Sequence, residues 1–126
     1  MRRAVVSLDL VDQAELPPPT FGWRWKHPGA DVAWIRVAGE LDLATVPQLE
    51  IALREAQLHP RPVVLDLREV AFMDGCAVHV VVDASIRARQ AGHRLALLRG
   101  PPNVDRIFAL TGARDQVEIR DAATGR

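Results

Sequence analysis

The stretch from Val63 to Gln90 does most to restrict the folds open to this chain. Val63-Val64-Leu65-Asp66-Leu67 is apolar on both faces apart from Asp66, as expected of a strand buried in the middle of a sheet. Phe72-Met73-Asp74-Gly75-Cys76-Ala77-Val78 then reads as a short loop holding an acid and a glycine. Beyond it, Val78, Val81, Val82, Ser85, Ile86 and Arg89 recur at helical spacing, with His79, Asp83, Arg87 and Gln90 opposite. His79-Val80-Val81-Val82 has strand propensity, but Asp74 is a good N-cap and Ala84 to Ala91 carries the segment past ordinary strand length. A strand feeding a helix through such a loop commits the region to an α/β fold, and α/β proteins usually present function there.

The flanking sequence repeats the alternation. Phe21, Trp23 and Trp25 alternate, His27-Pro28-Gly29-Ala30-Asp31 is turn chemistry, and Val32 to Val37 returns as a strand, which predicts a hairpin. Gly39-Glu40-Leu41-Asp42 is expected to break that strand. Thr45 and Gln48 have capping-box spacing, Pro47 suits a first turn, and Val46 to Leu58 is amphipathic. Leu95 to Leu98 predicts a strand, Pro101-Pro102 opens a helix that Gly112 ends, and Gln116 to Ile119 predicts a last strand. The expectation is an initial hairpin, then alternating strands and helices. The sheet should be mostly parallel, with helices packed against it through right-handed crossovers.

The 126 residues suit one domain, and 48% apolar with 25% charged residues suits a globular core. Three pieces are expected: residues 1–20 as an arm or extra strand ending at Pro17-Pro18-Pro19, 21–120 as the domain, and 121–126 as a flexible tail. Sixteen basic residues balance sixteen acidic ones with no dense basic cluster, which argues against nucleic acid as the main partner. No apolar run is long enough for a bilayer, and Asp9 and Asp12 interrupt the stretch after Arg2-Arg3, so no membrane partner and a cytoplasmic location are expected.

Little in the sequence supports catalysis. His27, His59, His79 and His93 are scattered without metal-ligand spacing, and the single Cys76 excludes a Cys-based metal site or internal disulfide. Neither a phosphate-binding loop nor a dinucleotide fingerprint is present, so no cofactor is expected. Cys76 and His79 lie one turn apart at a helix start, the one arrangement that suggests a thiol sensor or small enzyme. The plainer reading is that Cys76 fills space and that His79 pairs with Asp83 at i, i+4. Asp42 and Asp74 both follow strands. If those strands are neighbours, the acids share one rim of the sheet. There they could hold a metal, do acid–base work, mark a binding face, or simply order their own turns.

Gly39-Glu40-Leu41-Asp42-Leu43-Ala44-Thr45, then Val63 to Leu67 with Val70 and Phe72-Met73-Asp74, resembles the two opening signatures of the STAS domain family, the fold of bacterial anti-sigma factor antagonists. Arg94 to Leu98 and the Val104, Ile107, Phe108, Leu110 helix resemble its later pieces. The resemblance implies a small βα sandwich that acts by protein–protein contact in signal transduction and transcription regulation, and is not an enzyme. The implied partner is an anti-sigma factor that is also a serine kinase of the ATPase fold; pairing with a second copy is left open. In the family, the kinase ends binding by phosphorylating a Ser or Thr directly after the motif Asp. Here that position is Gly75, followed by Cys76, so no phosphorylation site is expected. The expected contact face is Asp42, Thr45, Asp74, Gly75 and Cys76 with His79, Asp83 and Arg87 of the following helix. A scaffold or accessory subunit of a stress-signalling complex or transporter is the alternative.

Overall fold

The computed structural model describes residues 4–12 and 31–121. Among these residues, five strands and three helices follow one another as β1 (Val5–Asp12), β2 (Asp31–Leu41), α1 (Val46–Ala56), β3 (Val63–Met73), α2 (Gly75–Gln90), β4 (Leu95–Leu98), α3 (Pro102–Leu110) and β5 (Glu118–Arg120). A short 3-10 helix, Ala113–Gln116, precedes β5. The strands lie side by side in chain order. β1 is antiparallel to β2, and every later neighbour is parallel. This is the α/β, mostly parallel sheet expected from the alternation.

Strands adjacent in sequence and in space, joined by crossovers of one hand, put all three helices on one face. There Ala33, Ile35, Val37, Val63, Leu65, Leu67, Leu95 and Leu97 meet Leu49 and Leu53 of α1, Val78 and Val81 of α2, and Val104 and Phe108 of α3 in one buried cluster. Val32, Trp34, Val64 and Leu98 have the opposite parity and form a second cluster. α2 is a helix despite its valines. Its buried line is Ala77, Val78, Val81, Ala84, Ser85 and Ala88. This corrects the expected stripe: Val82 and Ile86 are half-buried and Arg89 is exposed, its guanidinium donating to the Gln116 carbonyl at 2.8 Å. The alanines, lacking bulk, turn the closest-packed side of the helix toward the sheet.

Four other expectations need correction. The antiparallel partner of β2 is Val5–Asp12, while the strand expected at residues 21–26 lies outside the described residues. Gly39 does not end β2: at φ 95° it takes up a register shift against β3, and the strand continues to Leu41. β3 runs on to Met73, which shortens the expected loop to Asp74. Gln116 belongs to the 3-10 helix, leaving β5 only three residues. Gly92 and Gly112, both at positive φ, follow α2 and α3, where glycine stops were expected.

The acid inside the apolar β3 run is satisfied by its surroundings. Asp66 is 6% exposed. It accepts two bonds from the Arg68 guanidinium (3.0 and 2.8 Å), one from the Arg68 backbone N–H and one from Trp34 Nε1 at 3.3 Å. Arg36 lies over the Trp34 ring, 3.9 Å from its centroid. Burial alone pushes the Asp66 carboxyl up, but the Arg68 and Trp34 donors outweigh it and hold it below the usual carboxylate value. A carboxyl lowered in the folded state adds stability above its unfolded value, and that stability is lost as pH falls through the lower folded value. Wild type should therefore lose stability as pH drops below about 4. In urea titrations across that window, Asp66→Asn should show a flatter pH dependence.

Candidate functional site

The rim at the C-terminal ends of β2 and β3 is built from paired strand ends. Leu41 and Met73 are register partners, so Asp42 and Asp74, the next residues, emerge side by side. The Asp74 N–H donates to the Leu41 carbonyl at 3.0 Å and joins the two chain segments. The expectation that both acids share one rim thus holds.

Each acid orders its own segment. Asp74, in an extended conformation, is the N-cap of α2: its Oδ1 accepts from the Ala77 N–H at 3.1 Å. Asp42 Oδ1 accepts from the N–H groups of Ala44 (3.0 Å) and Thr45 (3.2 Å). The Asp42 carbonyl receives the N–H groups of Thr45 and Val46. Oδ2 of both acids makes no hydrogen bond among the described residues. The expected capping box does not form, because the Thr45 hydroxyl is engaged elsewhere. It donates to the Glu40 carbonyl at 2.8 Å and accepts from the Asp42 N–H at 2.9 Å. Thr45 is buried, so its hydroxyl fixes the turn from inside.

Gly75 and Cys76 are exposed in the first turn of α2. A Cβ added at Gly75 would meet nothing within 4 Å. His79 turns to Asp83, with Nε2 3.4 Å from Oδ2, both well exposed. Arg87 lies further along and is half-buried. Its Nε and Nη2 donate to Gln57 Oε1 (3.3 and 3.2 Å), while Gln57 Nε2 donates to the Ala84 carbonyl, so Arg87 helps hold α1 to α2. The structure therefore brings Asp42, Thr45, Asp74, Gly75 and Cys76 together, carries His79 and Asp83 along the exposed side of α2, and sets Arg87 apart in a helix–helix contact.

Two rim residues escaped the sequence reading. Leu43 is 72% exposed and Phe72 is 47% exposed, each within two residues of a rim acid. In sequence, Phe72 reads as the start of the loop; the structure places it on an exposed position of β3 instead. The charged residues of 37–53 and 69–86 are acids, with His79 the one other titratable base. No His, Cys, Asp and Glu cluster suited to a metal occurs among the described residues. Among them, too, no helix is long and apolar enough to cross a membrane.

The ordered five-stranded sheet, with its helices on one face and the rim at its end, defines an α/β domain of βα-sandwich type. Residues 26–123 match the STAS domain, and the chain belongs to that family. Over 88 residues it is 36% identical to the anti-sigma-B factor antagonist of Listeria monocytogenes, covering 69% of this chain and 77% of the relative. An anti-sigma factor antagonist from Mycobacterium paratuberculosis has the same fold, with a TM-score of 0.64 at 20% identity over 91% of this chain and 85% of that one. The Bacillus cell fate determinant SpoIIAA in its phosphorylated form is also similar, with a TM-score of 0.59 at 21% identity over 94% of this chain and 93% of that one.

The rim's order should depend on one hydroxyl. Thr45→Val keeps the shape but leaves the Asp42 N–H and Glu40 carbonyl short of a partner. We expect a loss of about 1–3 kcal/mol in chemical denaturation. Faster hydrogen exchange at the Asp42 amide should accompany it.

Proposed function

We propose that this chain is an anti-sigma factor antagonist whose β2–β3 rim binds the anti-sigma factor, and that it acts without a phosphorylation switch at the usual place. The observation carrying the proposal is the rim itself. Two carboxylates sit side by side, each with one oxygen unengaged, at the start of a long helix and next to exposed Leu43 and Phe72. The names of its relatives supply the class of target. Acids that form no ion pair among the described residues favour a partner that presents a basic group, and the two apolar side chains supply area for its surroundings. Asp42, Asp74, Gly75, Cys76, His79 and Asp83 form the contact face, with Thr45 buried beneath it ordering the turn. Arg87, occupied by Gln57, supports it from behind.

The target is an anti-sigma factor of the serine-kinase type, the class implied by the family's usual switch. A phosphate on the residue after Asp74 would add about −1.5 to −2 charge to an acidic face. Gly75 offers no oxygen to carry it, so binding is governed by partner supply rather than by modification of this loop.

Two measurements test the reading, both with the anti-sigma factor of the same bacterium. In calorimetric titrations, Asp74→Arg should lose about 2–5 kcal/mol of binding. Its stability should fall only by the loss of one cap, about 1 kcal/mol. Unchanged affinity would remove the rim from the interface. With that kinase and ATP, wild type should take up no phosphate between Phe72 and His79. Gly75→Ser, which places a hydroxyl in open space, should be phosphorylated and then released. Stoichiometric phosphate on wild type in that stretch would sink the unswitched reading.

A further inference from the structure

We propose that the outer edge of β1 is a homodimer interface, in which β1 pairs antiparallel with β1 of a second copy about a two-fold axis at Leu8. β1 is an edge strand, and among the described residues no strand pairs with its outer side. It is eight residues long, and its register with β2 runs unbroken from Val5 to Asp12. Edge strands are normally blunted by proline, bulges, free charges or shortness, as the three-residue β5 is. Between its ends β1 has one charged residue, Asp9, and the Arg36 guanidinium lies 3.9 Å from it. Three large apolar side chains stand exposed along this side: Val5 at 66%, Leu10 at 56% and Ile51 of α1 at 58%. Between β1 and α1 runs a groove of about 460 Å³, walled by Val6, Leu8, Ile51 and Ala52 and edged by Gln48 and Glu55.

The sequence of β1 favours a second copy as the occupant. Paired residues in a sheet must share a face, so a two-fold axis can fall only on a residue. Centred on Leu8, the helix-side pairs are Leu8 with Leu8 and Val6 with Leu10. On the other side, Val5 meets Val11 and Ser7 meets Asp9, where the serine hydroxyl can donate to the carboxylate. No acid from Val5 to Val11 faces another acid or an apolar side chain. A centre at Ser7 sets Asp9 against Val5, and a centre at Asp9 sets the two Asp9 carboxylates against each other. Of these three registers the Leu8 one is self-complementary, as an isologous contact requires. It covers Leu10 and Val5, and it brings Ile51 of each copy over the joint. Because the strands run antiparallel, the two β2–β3 rims point away from each other and both stay open.

Sedimentation velocity of the full chain over a wide concentration range tests this. Wild type should show a reversible monomer–dimer equilibrium. Leu10→Glu should weaken it about tenfold or more. Ser7→Asp, which sets an acid against Asp9 of the other copy twice, should weaken it as well. Ser7→Asp also lies beside Arg36 of its own β2, so the fold is not threatened. Leu110→Glu, at an equally exposed apolar position on α3, should leave the equilibrium unchanged. A wild type that stays monomeric throughout would overturn the proposal. So would a dimer indifferent to both β1 variants. Neither result bears on the partner reading, because the anti-sigma factor titration uses the opposite-facing rims.

Discussion

One backbone hydrogen bond, from the Asp74 N–H to the Leu41 carbonyl, fixes what this domain presents. It is the last rung where β2 and β3 run out, after register shifts that could have let their ends splay. Because it closes the pair, Asp42 and Asp74 leave the sheet at the same level. Each then starts the segment that leads to a helix. The rim is thus a consequence of strand pairing, and its carboxylates are placed by backbone geometry rather than by flexible loops.

β3 has two halves with different roles. Val63 to Asp66 lies between β2 and β4 and is buried on both faces. Beyond Leu67, β2 is the one strand beside it among the described residues, Asn103 of α3 donates to the Ala71 carbonyl at 2.8 Å, and Arg68, Glu69, Ala71 and Phe72 are exposed while Val70 and Met73 stay buried. The strand therefore carries the rim beyond the reach of β4, anchored to the core by Val70 and Met73. Gly100 marks the limit of that core: a Cβ there would come within 2.9 Å of the Leu67 carbonyl oxygen, so α3 packs down where no side chain intervenes.

Much of this was legible in the sequence because local signals agreed. Asp74 and the length of the following segment marked α2 in spite of three consecutive valines, and the glycines at 92 and 112 stopped the helices before them. Features decided by distant contacts were not legible. The strand continuing through Arg68 and Glu69 has no apolar alternation to show it, since only Val70 and Met73 of its second half reach the core and pairing with β2 carries the rest. Nothing local to Val5–Asp12 says that it lies against β2. The Thr45–Gln48 spacing misled because a hydroxyl can satisfy either a helix end or the turn before it. Here the Glu40 carbonyl and Asp42 N–H were nearer claims on it. Arg87 looked solvent-facing by period, but Gln57 of the neighbouring helix reaches it.

The sequence alone left a choice for both rim acids between ordering their turns and meeting a partner. The geometry shows the first role and leaves room for the proposed second. Asp42 and Asp74 each spend Oδ1 on backbone N–H groups of their own segment and keep Oδ2 without an internal bond. A carboxylate held this way has already given up its rotameric freedom, so a partner's donor meets it with little further ordering cost. In the proposed contact, the capping role would thus preorganise the carboxylates. Gly75 fits the same logic: it adds no side chain between Asp74 and whatever approaches the start of α2, and no hydroxyl through which that approach could later be blocked.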